Sequence, residues 1–439
     1  MYTAPIAAVP RLTAGAAVCD GRAVTDVLGV GAVPGIDDFT RRYAELAVRV
    51  GANVQPGQKV FVVGGPEHAP LVRASMQSAW DAGAADVEAL YLDEVESLLR
   101  ALHADDPVLD TAGCSRLGAL EWMLEGEAAE IYFYGEAFPE LWKNADGARA
   151  ARVFRPKEAV RVRRRLINEG RLAWTLLGAP TESWARKVFG EPDVGRLREA
   201  IASAVRLDSP DPVAAWRERL QQLGERGALL TERRFDAVRF RGPDTDLTIG
   251  LLAGARWIGG DAETRWGQRH CDNVPTEEVF TTPDRRRTEG RVRTTRPVSY
   301  GGVLLDAVEL VFKAGRASLV GAASGGDFVT GELAKDANAP YLGEVALVDG
   351  DSPVGRSGLL YHHPLYDENV TSHIAYGIAY TAPVSATDGL SDDALLDRGV
   401  NVSTVHTDLP IGGPEVEVLG LGRDGSATPI LAGADWVLT

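Results

Sequence analysis

The chain has 439 residues, 45% of them hydrophobic and 25% charged, with a formal net charge of −16. That balance supports a large core in two or three domains, and the negative charge excludes nucleic acid and anionic membrane as natural partners. The three cysteines, Cys19, Cys114 and Cys271, form no CxxC pair and are odd in number, which excludes a disulfide framework and a cysteine-rich zinc site and fits a reducing compartment.

The N-terminal stretch MYTAPIAAVPRLTAGAAVCDGR lacks a basic run followed by a long apolar one. No signal peptide is expected, and no run of about 18 apolar residues predicts a membrane helix. The expected location is cytoplasmic. Residues 1–38 read as an extension with some strand character. From Phe39 to Val50 the apolar positions Tyr43, Leu46, Ala47 and Val50 share one helical face. KVFVVGG then reads as a strand, 67–82 as a helix, DVEALYLD as a strand and EVESLLRALH as a helix. EIYFYGE (strand), a long basic helix within 145–168 and RLAWTLLG (strand) follow. This alternation predicts an open parallel α/β domain.

SPDP at 209–212 is a breaker, and a helix from Pro212 to Leu223 follows it. From about Phe235 the chain turns to short strands, glycines and Pro/Asp/Thr-rich loops. The expected fold class is α/β: residues 39–225 form an N-terminal open α/β domain. Residues 226–439 form a C-terminal, β-rich α+β metal-binding domain, with the boundary somewhere in 210–235.

The chemistry-bearing stretches lie in the second half. VSTVHTDL reads as a strand, so His406 and Asp408, two apart, share a face and converge as nitrogen and oxygen ligands suited to Zn²⁺, Co²⁺ or Mn²⁺. Glu277 and Glu278 lie between Pro275 and apolar Val279-Phe280. On an extended segment they point to opposite sides, one to ligate and one to act on bound water. Alone, PTEE reads better as the acidic first turn of a helix. Glu344 is a lone acid in apolar LGEVALV, which needs either an arginine or a cation beside it. His373 and Tyr380 are seven apart and would share one helical face; taken alone, each reads as a core residue. The chain has only 7 histidines, and two fall among these acids. Three carboxylates and two imidazoles suffice for two cations about 3.5–4 Å apart. Arg285, Arg286 and Arg287 and the basic run Arg161–Arg165 read as solvated charge before substrate clamps, and Trp174 and Trp184 as packing residues.

Together, RRYAELAVRVGANVQPGQKVFVVGG, WTLLGAPTESWARKVFG, NVPTEEVFTTPD, LGEVALV, DENVTSHIAYGIAY and HTDLPIG resemble the aminopeptidase T / aminopeptidase S family of dinuclear metallopeptidases over roughly 40–439. The resemblance implies metal ligands Glu278, Glu344, His373, His406 and Asp408, two divalent ions (Zn, Co, Mn or Mg), and Tyr380 as the tyrosine that assists catalysis. It also implies a peptide substrate with a free N-terminus and a homodimer. Glu277 is assigned as general base from the chemistry of adjacent Glu pairs. Thr371 and Ser372 ahead of His373, and Leu409-Pro410 after Asp408, depart from the family pattern, which bears on substrate preference more than on the metals. Two other enzymes fit the same residues: a non-haem iron ring-cleaving dioxygenase, with one metal, and a specialised amide or peptide hydrolase of a biosynthetic pathway. A metal-free binding protein is the non-enzymatic reading.

Overall fold

The computed structural model describes residues 36–142, 147–154, 156–300, 303–387 and 389–439. The expected N-terminal extension lies, up to residue 35, outside them. Helix α1 (Asp38–Leu46) starts where the Asp37 carboxylate accepts the Thr40 amide, 2.8 Å away, a side-chain cap for an otherwise unpaired helix donor. Its buried Tyr43 and Leu46 lie on the face read from the sequence, and Ala47 and Val50 of that face are buried in the π-helical turn Ala47–Gly51 that follows.

Four parallel strands follow: β1 (Lys59–Gly64), β2 (Asp86–Tyr91), β3 (Ala128–Tyr134) and β4 (Leu172–Gly178). Helices alternate with them, including Ala69–Asp81 and Glu94–His103. The long basic helix is in fact two, Gly147–Phe154 and Lys157–Asn168, with Pro156 between them, a residue that cannot continue a hydrogen-bonded helix.

Helix α2 (Pro212–Arg233) is capped by Asp211, which accepts the Ala214 amide at 2.9 Å. It runs ten residues past the expected end at Leu223 and spans the anticipated boundary at 226. Gly224 and Gly227 obscure its periodicity. Gly227 is required by packing: a Cβ there would meet the Trp257 carbonyl oxygen at 2.9 Å.

The short strand β5 (Asn273–Val274) leaves the second half and pairs in parallel with β4. The parallel sheet therefore has the order β5-β4-β3-β1-β2, and its core includes Cys271, Val274, Tyr361, Leu365 and Tyr366. Within four residues the chain enters a second sheet through β6 (Glu278–Thr281). It continues with β7 (Leu342–Val348), β8 (His373–Gly377) and β9 (His406–Pro410), all antiparallel in the order β9-β8-β7-β6, with Ile258–Gly259 at the edge. One face of this sheet, carrying Val279, Val345, Leu347, Ile374, Tyr376 and Leu409, shares a core with Val238, Phe240, Leu247, Ile249 and Leu310 of an eight-stranded antiparallel sheet. The second half is thus two antiparallel sheets around one core.

Candidate metal centre

Strand alternation builds the site. The buried positions named above occupy one face of the β6–β9 sheet, so Glu278 and Phe280, Glu344 and Ala346, His373 and Ala375, His406 and Asp408 fall on the other. The register sets Phe280 opposite Ala346, Ala346 opposite His373, Glu344 opposite Ala375 and Ala375 opposite Asp408. Two alanines therefore sit among the long polar side chains and leave room between them.

The five residues meet in two groups: Glu278, Glu344 and His373, and Glu344, His406 and Asp408, with one donor atom of each residue within 4.8 Å of the others in its group. Glu344, only 4% exposed, belongs to both. His373 Nε2 is 3.1 Å from Glu278 Oε2, and His406 Nε2 is 3.4 Å from Glu344 Oε2 and from Asp408 Oδ1.

The other imidazole nitrogens are held by backbone. His406 Nδ1 lies 2.9 Å from the Ile378 carbonyl and His373 Nδ1 3.3 Å from the Thr371 carbonyl. A carbonyl only accepts, so each Nδ1 carries the hydrogen and each Nε2 presents a lone pair to the carboxylates. The buried Glu278 Oε2 accepts no well-formed hydrogen bond. Acceptors facing acceptors in a buried space call for a cation, and a nitrogen and oxygen donor set suits a divalent one. The electrostatics agree. Burial alone would lower His373, yet Glu278 and the other carboxylates push it up to about 10. Burial would likewise lower His406, but Asp408 and its neighbours drive it well above the ordinary range. Without an ion, the acids recruit protons to the imidazoles as positive charge.

Two residues that the sequence reading did not single out belong here. Glu368 lies on a single turn, Glu368–Val370, ahead of β8. Burial, and then the negative charge of Asp408 and Glu278, raise its carboxyl well above the ordinary range; it is a fourth acid within electrostatic reach of the cluster, outside the two ligand groups. The Tyr300 hydroxyl accepts the Asp408 amide at 2.7 Å and donates to Asp408 Oδ2 at 2.8 Å. DENVTSH contained the first clue; nothing near VSY pointed to the second.

His373 and Tyr380 do not share a helix, as the seven-residue spacing suggested: His373 is in β8, and the chain turns at Gly377. Tyr380 nevertheless arrives at the site. The residue is 51% exposed, and its ring stands edge-on to His406 and Phe280, with centroids 5.2 and 5.8 Å away.

Glu277 is a correction. As the extended reading required, it points away from Glu278, but into protein: it is fully buried, with both oxygens bound by Arg206 and one also 2.8 Å from Arg219 Nε. A carboxylate paired with two guanidiniums on the far side of the sheet is not available to a water at the cluster. Arg285 covers the Tyr341 ring and donates to Asn338, while Arg286 and Arg287 pair with Asp284 and Asp236; all three are engaged. Trp184 is buried with its indole N–H donating to the Tyr361 carbonyl, and Arg163 covers Trp174, both in packing roles.

A family model described as thermophilic metalloprotease (M29) matches residues 37–436. The chain is 37% identical to aminopeptidase 2 of Geobacillus stearothermophilus, over 90% of this chain and 97% of that protein. It is also 37% identical to aminopeptidase T of Thermus thermophilus, over 92% and 100%. The solved structure of wild-type AmpT from Thermus thermophilus superposes with a TM-score of 0.82 at 36% identity, covering 91% of this chain and 99% of that one. The chain belongs to the thermophilic metalloprotease (M29) family, and with it to the metal-dependent aminopeptidases.

Proposed function

We propose that Glu278, Glu344, His373, His406 and Asp408 hold two divalent cations, with Glu344 shared, and that the site removes N-terminal residues from peptides with a free α-amine. The supporting observation is the pair of ligand triads that share Glu344 on one sheet face. Bound there, such cations supply Lewis acidity and a water of lowered pKa. The chain's own groups do the rest. The Tyr380 hydroxyl donates a hydrogen bond to the scissile carbonyl oxygen as negative charge grows on it. With Glu277 withdrawn, we assign to Glu368, the remaining acid that feels the charge of Asp408 and Glu278, the task of accepting the proton of the attacking water and returning it to the leaving amine. The backbone carbonyls of Ile378 and Thr371 keep the two imidazoles in the ligating tautomer.

A single-iron ring-cleaving site needs fewer acids, and the relatives' aminopeptidase names speak against it. The reading includes a homodimer in the cytoplasm. Light scattering should find a particle of twice the 46.9 kDa chain mass. Among the described residues no helix is long and apolar enough to cross a membrane.

The test uses chelator-stripped protein, Zn²⁺, Co²⁺, Mn²⁺ or Mg²⁺ added back, and a panel of aminoacyl amides and dipeptides with N-acetylated counterparts. Hydrolysis should require added metal and a free amine, and Glu344→Gln and His406→Ala should lower it by at least about a hundredfold. Equal cleavage of the acetylated compounds, or activity indifferent to metal, refutes the reading.

A further inference from the structure

Glu278 is the first residue of β6, and its partner across the ladder, Val348, is the last of β7. Here the ladder ends, so no further backbone pairs hold the two strands in register. The next positions outward are Glu277 and Asp349, and continuing the antiparallel register sets these two acids against each other. Like charges directly opposed across strands push the strands apart. Both are buried, Glu277 fully and Asp349 at 5% exposure.

Arg219 of α2 lies between them. Its Nε donates to Glu277 Oε2 at 2.8 Å and its Nη2 to Asp349 Oδ1 at 2.8 Å. Arg206 holds the other side of Glu277, and Arg226, two helical turns beyond Arg219 on the same face, holds the other side of Asp349. The Glu277 amide donates to Asn369 Oδ1 at 2.6 Å, and Asn369 follows Glu368. The network therefore grips residues adjacent to Glu278, to Glu368 and to the end of the strand carrying Glu344.

We infer that Arg219 is a positioning residue of the metal centre: it clamps Glu277 to Asp349 and so sets where Glu278 presents its carboxylate. Glu277 then serves the site through the backbone it anchors, not through a proton. This rests on the proposed cation site and adds to it a device on the opposite side of the sheet. Planar guanidinium geometry suits two carboxylates at once, which an ammonium cannot match.

The experiment measures Co²⁺ binding to stripped protein by calorimetry, together with kcat and KM on an aminoacyl amide at saturating Co²⁺. Arg219→Gln should weaken Co²⁺ binding about ten- to a hundredfold, with kcat at saturation within a few-fold of the parent. The variant R219Q/E277Q/D349N, which removes the opposed charges along with the clamp, should recover part of that affinity. If Arg219→Gln does not fold, Arg219→Lys decides in its place: an ammonium cannot hold both carboxylates in the planar fork, so a loss of Co²⁺ affinity greater than about twofold supports the clamp. Affinity unchanged within about twofold in folded Arg219→Gln or Arg219→Lys overturns it. So does Glu277→Gln that binds Co²⁺ normally but loses about a thousandfold or more in kcat at saturation, the signature of a general base. If the parent protein itself binds no Co²⁺, the cation reading fails first, an outcome distinct from all of these.

Discussion

At Asp408 the geometry is closed from both ends. Its amide donates to the Tyr300 hydroxyl, and that hydroxyl donates back to Oδ2, leaving Oδ1 toward His406. Burial would raise the Asp408 carboxyl, but His406 holds it well below the ordinary range, so it stays an anion fit to ligate. Tyr300 thus fixes a ligand, whereas Tyr380 faces outward beside His406, and the two tyrosines should separate experimentally. Tyr300→Phe strips Asp408 of its donor and should weaken cation binding by about tenfold while kcat at saturating metal changes little. Tyr380→Phe should do the reverse: affinity unchanged and kcat reduced by about 10²–10³-fold. Calorimetry paired with steady-state kinetics reads both, and a matched loss in the two variants would mean that the tyrosines do not divide the work in this way.

Strand β8 shows how an element converts sequence into a site, and where the sequence misleads. Gly377 ends it at φ +106, where a Cβ would meet the Val405 carbonyl oxygen at 2.1 Å. That turn brings the chain back over His406, so that Ile378 can accept from the imidazole. Gly377→Ala combines a disfavoured φ with a backbone clash and should cost about 1–3 kcal/mol. A melting curve should show the loss, and Co²⁺ affinity should fall with it; an unshifted melting temperature would contradict the close approach. The seven-residue spacing of His373 and Tyr380 suggests a helix because every residue of the strand from His373 to Gly377 is buried. A strand covered on both faces loses the polar alternation that marks its period. HTDL is legible because its alternation survives, ligands on one side and core on the other; the Glu277-Glu278 pair is legible only in part, since PTEE alone reads as a helix start and Glu277 meets two arginines instead of a water. The α2 helix was half legible, its pattern interrupted by two glycines. The partners of Glu277 were not legible at all. Arg206 lies 71 positions away, and Arg219 is 130 from Asp349, distances at which charge pairing leaves no local pattern. The same holds for Tyr300, 108 positions from Asp408.

At the scale of the whole molecule, the two halves are joined by more than α2 and the β5 crossover. An aromatic seam runs between them. His363 of the second half packs against Trp184 and Tyr134 of the first, with ring centroids 4.9 and 5.3 Å away, and against Tyr366 at 5.4 Å. The Tyr43 hydroxyl donates to the Gly178 carbonyl at 3.0 Å and lies 3.4 Å from that of Tyr366. Because this seam backs the turn that carries Glu368, its integrity bears on the site as well as on stability. Burial lowers the His363 pKa to about 4, with Lys187 assisting and Glu136 and the Tyr134 carbonyl opposing. In the unfolded chain the imidazole titrates near 6.5. The contribution of this imidazole is therefore fully present above about pH 6.5, where both states are neutral, and is lost as pH falls through 6.5 toward 4, where only the unfolded chain readily takes the proton. The full linkage is worth about 3 kcal/mol. His363→Phe, which keeps a ring in the seam, should remove this component. Urea midpoints of stripped protein at pH 7.5 and pH 4.5 should then draw apart far more in the parent than in the variant. Comparing the two chains cancels the titration of the site carboxylates, which both share. Equal acid sensitivity in parent and variant would show that the imidazole is solvated when folded and that the seam is open to water.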